Sequence, residues 1–136
     1  MIEHHFNIRP TYNEVDQMGY VYHANHVSYC HQARTEMLRT MGIHDAKLES
    51  CGIMMPVISF NIQYKNPAHY DELLTITTRI KEIPKVKFMF AYEIKNELGK
   101  LVSRANSEVA FVDIVSRKPM AAPKIVTEGL SSLLPI

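Results

Sequence analysis

The periodicity of apolar residues changes once along this chain, and that change constrains the fold more than any other feature. From Asn25 to Met41 the apolar positions Val27, Cys30, Ala33, Met37, Leu38 and Met41 recur mostly at three- and four-residue steps. That spacing lines one face of an α-helix of about four turns. Asn25 is expected as its N-cap, Arg39 suits the negative C-terminal end, and Gly42 marks the stop. A short second helix is expected over Asp45–Ser50.

After Gly52 the period becomes two. Ile58, Phe60, Ile62 and Tyr64 alternate with polar residues, as do Leu74, Ile76, Thr78 and Ile80. Phe88, Phe90, Tyr92 and Ile94 form a third set, and Leu101, Ala105, Val109 and Phe111 a fourth. Turn signals separate them at Asn66-Pro67, Ile83-Pro84-Lys85 and Asn96–Lys100. Short connections between long strands imply antiparallel pairing. Ile2–Thr11, ending in Arg9-Pro10, reads as an edge strand. The expectation is an α+β protein with a curved antiparallel sheet of about five strands wrapped around one long central helix. A last short helix is expected within "KIVTEGLSSLLPI", Lys124–Ile136.

Composition restricts function mainly by exclusion. The 136 residues, 46% hydrophobic and 21% charged, suit a single globular domain over residues 1–136 rather than a disordered chain. Fifteen basic and fourteen acidic residues leave a net charge of +1, which gives no broad field for nucleic acid or an anionic membrane. No apolar run approaches the ~20 residues of a membrane span. "MIEHHFNIRP" has no basic segment followed by an apolar one, so no signal peptide is expected. Cys30 and Cys51 form no CxxC, and free thiols in a cytoplasmic protein are the expectation.

Chemistry is concentrated in "YNEVDQMGYVYHANH", Tyr12–His26, the connection between the first strand and the long helix. His23, His26, Cys30 and His31 have spacings that can converge metal ligands on a helix. No carboxylate or paired cysteine completes such a set, and Cys30 already lies on the apolar stripe, so no metal is expected. No Gly-rich phosphate loop is present, which argues against nucleotide hydrolysis.

The ordered set Tyr12-x-x-x-Asp16-x-x-Gly19-x-Val21-Tyr22-His23-Ala24-Asn25, the segment "ARTEML" (Ala33–Leu38) and "NPAHYDELLTI" (Asn66–Ile76) resemble the 4-hydroxybenzoyl-CoA thioesterase family of hotdog folds. More narrowly, they are similar to its small acyl-CoA thioesterases of the Tol-Pal-associated type. The likeness extends to about Val115. It implies hydrolysis of an acyl-CoA thioester, with coenzyme A as part of the substrate and no other cofactor. It also implies a homodimer or homotetramer with active sites at the dimer interface. Positions 17 and 18 depart from the family pattern, Met18 in a way that would narrow the pocket, and His31 stands where an acidic residue is frequent.

Residue by residue, the resemblance makes Asp16 the nucleophile or the general base for water. The alternative is a turn or capping aspartate, the commoner role of Asp before a helix. The His23 backbone amide, at the helix start, would polarise the thioester carbonyl, and its ring would orient water or protonate the leaving thiolate. Tyr12 would hold the carboxylate or the water; otherwise it is a strand residue with an amphipathic tip. Gly19 supplies a positive-φ turn or a close backbone approach to substrate, and Asn25 is a cap first and a substrate contact second. Lys85 and Lys87 are expected to meet the coenzyme A phosphates, against the alternative of solvated lysines guarding a strand edge. Tyr22 is expected as packing, and Glu14 and His26 as exposed or capping. A non-catalytic acyl-CoA or acyl-carrier sensor of the same fold is the competing reading.

Overall fold

A computed structural model of the chain describes residues 1–134. Strand β1 (Ile2–Ile8) leads through a 3-10 turn at Tyr12–Glu14 into helix α1 (His23–Thr40) and helix α2 (Asp45–Ser50). Then follow β2 (Ile53–Met54), β3 (Val57–Tyr64), β4 (Leu74–Ile80), β5 (Lys87–Lys95), β6 (Leu101–Ala110), β7 (Val112–Asp113) and helix α3 (Lys124–Ser131). Five strands form one antiparallel sheet in the order β1-β4-β5-β6-β3, and β2 pairs with β7 in a separate ribbon. The five-stranded antiparallel sheet, β1 at its edge and α2 match the sequence expectation, whereas β3 pairs with β6 and not with its sequence neighbour β4. The expected C-terminal helix is present as α3; the last two positions of the segment expected to hold it, 135 and 136, lie outside the described residues.

The core forms where α1 lies on the concave face of the sheet. Period-two alternation turns Phe88, Phe90, Tyr92 and Ile94 of β5 inward, with Leu74, Ile76 and Ile80 of β4 beside them, all buried. α1 buries His26, Tyr29, Cys30, Ala33, Arg34, Met37 and Leu38. This stripe is rotated from the expected one: Val27 is exposed, and His26 and Arg34 are inside. Burial raises the Cys30 thiol to about 12, so it is an inert core group. On the outer face Arg79 pairs with Glu3 at 2.8 Å and with Glu93, and Glu93 also pairs with Arg104 at 3.3 Å. Such surface pairs guide strand register more than they stabilise.

The ends of α1 determine where chemistry can occur. At its C-terminus Gly42 adopts φ +76° and Ile43 N–H donates to Leu38 O at 2.9 Å, the expected stop. At its N-terminus the expectation fails. The helix begins at His23 with Tyr22 as cap, and among the described residues no side chain caps it. Asn25 is inside the first turn, and its side-chain amide donates to Glu14 O at 3.0 Å, tying the helix to the 3-10 turn. The Asn25 backbone amide donates to Tyr22 O at 2.9 Å, which leaves the His23 and Ala24 amides as the ones a side-chain cap would have competed for.

Phe88 is fully buried, 4.3 Å from the Phe90 ring and 6.0 Å from Phe111. Phe88→Ala should therefore destabilise the protein by about 3–5 kcal/mol in urea unfolding. A loss under about 1 kcal/mol would contradict a packed concave face.

Candidate active site

Asp16 opens a tight turn closed by the antiparallel bridge between Val15 and Val21. Asp16 N–H donates to Tyr20 O at 2.8 Å, and Gly19 N–H donates to Asp16 O at 3.0 Å. Gly19 has φ +80°, and an added Cβ would meet nothing within 4 Å. Backbone conformation, not crowding, therefore requires glycine here. Asp16 Oδ1 accepts from the N–H of Met18 at 2.9 Å and of Tyr20 at 3.2 Å. The turn role is real, but it uses one carboxylate oxygen. Among the described residues Oδ2 takes no partner, and Asp16 lines a cavity of about 340 Å³.

The same cavity is bounded by the first turn of α1. His23 and His26 line it together with Met18, Tyr20 and Tyr64. The opening amides of a helix have no intrahelical acceptor and carry partial positive charge. The Tyr64 hydroxyl donates to His23 O at 2.8 Å, joining the end of β3 to the helix start. The His23 ring lies 4.5 Å from Tyr22 and 6.1 Å, edge-on, from Tyr64. The Asn25 backbone amide is already taken by Tyr22 O at 2.9 Å, so the carboxylate oxygen of Asp16 and the helix opening at His23 face one volume, the elements needed to deliver a nucleophile to a carbonyl and hold the resulting oxyanion.

The other expected site residues are placed elsewhere. Tyr12 is 81% exposed, packs edge-on against Tyr70 at 5.9 Å and does not line the cavity. Asn25 does not line it either. Lys85 and Lys87 lie at the opposite end of the sheet, just before and at the start of β5. Lys87 pairs in register with Ala110, and its ammonium is 3.7 Å from Glu108. Met18 is at the cavity, where the sequence suggested it would narrow the opening.

His26 and Tyr64 are site residues that the sequence reading missed. His26, expected to be exposed or capping, is only 2% exposed, with Nδ1 3.0 Å from Ser103 Oγ and its ring 4.9 Å from Tyr64. Burial first, and then the neighbouring His23, depress its pKa to about 4. It faces the cavity as a neutral hydrogen-bonding group. Stepping back four positions from Cys30 along the helix would have pointed to it. Tyr29, also buried, donates to Glu14 Oε1 at 3.1 Å, so Glu14 acts as an anchor as well as a cap.

A curved antiparallel sheet closed over one long helix, with a carboxylate turn at the helix start, is the hotdog fold. The 1,4-dihydroxy-2-naphthoyl (DHNA)-CoA thioesterase of Staphylococcus aureus superposes with a TM-score of 0.90 at 28% identity, over 98% of this chain and 91% of that one. Residues 10–130 match the family model of the thioesterase-like superfamily. The acyl-CoA thioester hydrolase YbgC of Escherichia coli O157:H7 is 33% identical over 119 residues, 88% of this chain and 89% of that protein. YneP of Bacillus subtilis, described only provisionally as an acyl-CoA thioesterase, is 37% identical over 113 residues, 83% and 82% of the two chains. The chain belongs to the thioesterase-like superfamily and is an enzyme of that class.

The depressed pKa of His26 has a consequence for stability. Between about pH 4 and 6.5 the unfolded chain binds a proton at this position that the folded chain does not. Stability should therefore fall as pH drops from 6.5 towards 4, by up to about 3 kcal/mol from this group. His26→Gln should flatten that part of the pH profile in urea unfolding, and a profile as steep as wild type would contradict the buried neutral imidazole.

Proposed function

We propose that the protein hydrolyses an acyl-CoA thioester to the free acid and coenzyme A, with Asp16 as general base or nucleophile. The observation that carries this reading is one cavity shared by the unpaired Oδ2 of Asp16 and the uncapped start of α1. As general base, Asp16 takes a proton from water while the water oxygen bonds the thioester carbon. The carbonyl electron pair moves onto oxygen, where the first-turn amides hold it. The C–S bond then breaks, and the departing thiolate takes up a proton. As nucleophile, Asp16 bonds the carbon itself, expels the thiolate and leaves a mixed anhydride that water opens. In both routes the hydrogen bonds from Met18 and Tyr20 keep the carboxylate oriented. Neither route draws on a metal or an organic cofactor.

Within the superfamily we assign the chain to the 4-hydroxybenzoyl-CoA thioesterase family and its small acyl-CoA thioesterases of the Tol-Pal-associated type, on the loop Tyr12–Asn25 and the helix segment Ala33–Leu38. We place it in the cytoplasm, in keeping with free Cys30 and Cys51. Among the described residues no helix is long and apolar enough to cross a membrane.

The active form in this reading is a dimer at least, with a tetramer as a further step. β3 is a terminal strand of the sheet, and Val57, Ile58 and Tyr64 on it are exposed. Such an edge is normally paired or blunted. Two-fold antiparallel pairing of β3 with its copy sets the Val57 end of one chain against the Tyr64 end of the other. β3 spans ~23 Å, so Lys85 and Lys87, remote from Asp16 of their own chain, would approach the cavity of the second. There they would meet the coenzyme A phosphates, and Gly19 would admit the substrate. Sedimentation should show a dimer or larger species, and a fully active monomer would contradict this arrangement.

A sensor that binds acyl-CoA without turning it over needs no carboxylate at position 16. Asp16→Ala and Asp16→Asn should each lower thioester hydrolysis by about 100-fold or more. If both variants turn over a panel of aromatic, short-chain and long-chain acyl-CoA substrates at the wild-type rate, the assignment of Asp16 is wrong.

A further inference from the structure

A second cavity, of about 400 Å³, lies at the other end of α1, between that helix, α2 and the β2–β7 ribbon. Its apolar walls are formed by Leu38, Ile43, Leu48, Ile53, Met55 and Ile114, and its rim includes polar residues of α1 and α2. One cation is set into them. Arg34 is 7% exposed, with its guanidinium 5.7 Å above the centre of the Phe90 ring. Its Nη2 donates to His31 Nδ1 at 2.9 Å. Partial burial first, and then the Arg34 charge, hold the His31 imidazole below its usual range, with Asp45 pulling the other way. With Nδ1 accepting, the neutral ring carries its proton on Nε2, which gives a second donor beside the guanidinium.

Among the described residues no carboxylate lies within 4.0 Å of Arg34. Asp45 and Glu49 line the cavity from α2, but both are exposed and neither forms an ion pair with it. A buried guanidinium cannot shed its charge, and an unpaired buried ion costs several kcal/mol. Among the described residues the wholly buried side-chain polar atoms without a partner are His4 Nδ1 and Thr78 Oγ1, and none belongs to Arg34. Arg34 also lies beside the Tyr92 hydroxyl as a hydrogen-bond partner, and the donors that neither His31 nor Tyr92 takes are open to the cavity that Arg34 lines.

We propose that this cavity is a carboxylate-binding site, in which Arg34 and His31 take the anionic end of a ligand and the apolar walls take its hydrocarbon body. Its role rests on the thioesterase reading above. Antiparallel pairing of β3 would bring the Asp16 turn of a second copy to this end of the molecule. The ligand is then the acyl group of the substrate, and the favoured substrates carry a carboxylate at the end remote from the thioester. A forked guanidinium–carboxylate pair in an apolar surround gives both energy and geometric selectivity. A neutral acyl chain of the same length would leave the Arg34 charge without a counter-ion.

The test separates binding from turnover. Hexanoate, with hexan-1-ol as the uncharged control, is titrated calorimetrically into the full-length protein. Wild type should bind hexanoate at least tenfold more tightly than the alcohol. Arg34→Met should erase the difference. Arg34→Lys, which keeps a cation but not the fork, should reduce it at least threefold and gives a reading should the methionine variant not fold. In hydrolysis, the ratio of kcat/KM for adipoyl-CoA to that for hexanoyl-CoA should exceed one in wild type and fall at least tenfold in Arg34→Met. Equal binding of hexanoate and hexan-1-ol by wild type, or a preference that survives in both variants, overturns the site while leaving the hydrolase intact. Arg34-dependent hexanoate binding by a protein that hydrolyses no thioester supports the site and overturns the hydrolase reading instead.

Discussion

Burial of one face of α1 against the concave side of the sheet is the contact on which the rest of this structure depends. Met37, Ala33, Cys30 and Tyr29 meet a floor built from Phe88, Phe90, Tyr92, Ile94, Leu74 and Ile76. Fully burying each of the larger side chains contributes about 1.5–3 kcal/mol, far more than the surface ion pairs of the outer face. This contact fixes the helix axis and so fixes both of its ends. The N-terminus is held over the end of β3 by Tyr64, and the C-terminal half is held over Phe90 by Arg34. A cavity lies at each end.

At the first cavity one residue serves two purposes. Asp16 organises its own turn through Oδ1 and presents Oδ2 to the volume bounded by the start of α1. The two readings of Asp16, turn former and reactive carboxylate, are therefore compatible. The backbone hydrogen bonds that make it a turn residue also immobilise it, which is what a positioned base or nucleophile requires. The lack of a side-chain cap on α1 belongs to the same design. Without a cap, the amides ahead of Asn25 remain available to a ligand oxygen.

Most of the framework was legible because it rests on local periodicity. The inward set Phe88, Phe90, Tyr92 and Ile94 alternates without interruption, Gly42 ends α1 where a left-handed residue is needed, and α2 has its expected bounds. What was not legible depends on residues distant in sequence. His26 is buried because Ser103, 77 positions away, accepts or donates a hydrogen bond beneath it. Arg34 is buried because the Phe90 ring is there to receive it. Both polar residues displaced Val27 from the expected stripe, and no pattern within the helix alone identifies them. The Asn25 cap failed for a related reason, since its amide finds a carbonyl in the preceding turn. At the site, Asp16 and His23 were brought together as expected, whereas Tyr12 found Tyr70 instead. The two-residue strands β2 and β7 carry too little pattern to be seen in advance, yet they frame the second cavity.

The central claim is that the Asp16 turn and the start of α1 together break a thioester, and do not merely hold one. The most direct measurement is a single-turnover experiment with enzyme in excess over an acyl-CoA, followed by quantification of free thiol and free acid. The account predicts one equivalent of each per acyl-CoA bound. Recovery of the intact thioester from a complex shown to have formed would contradict it.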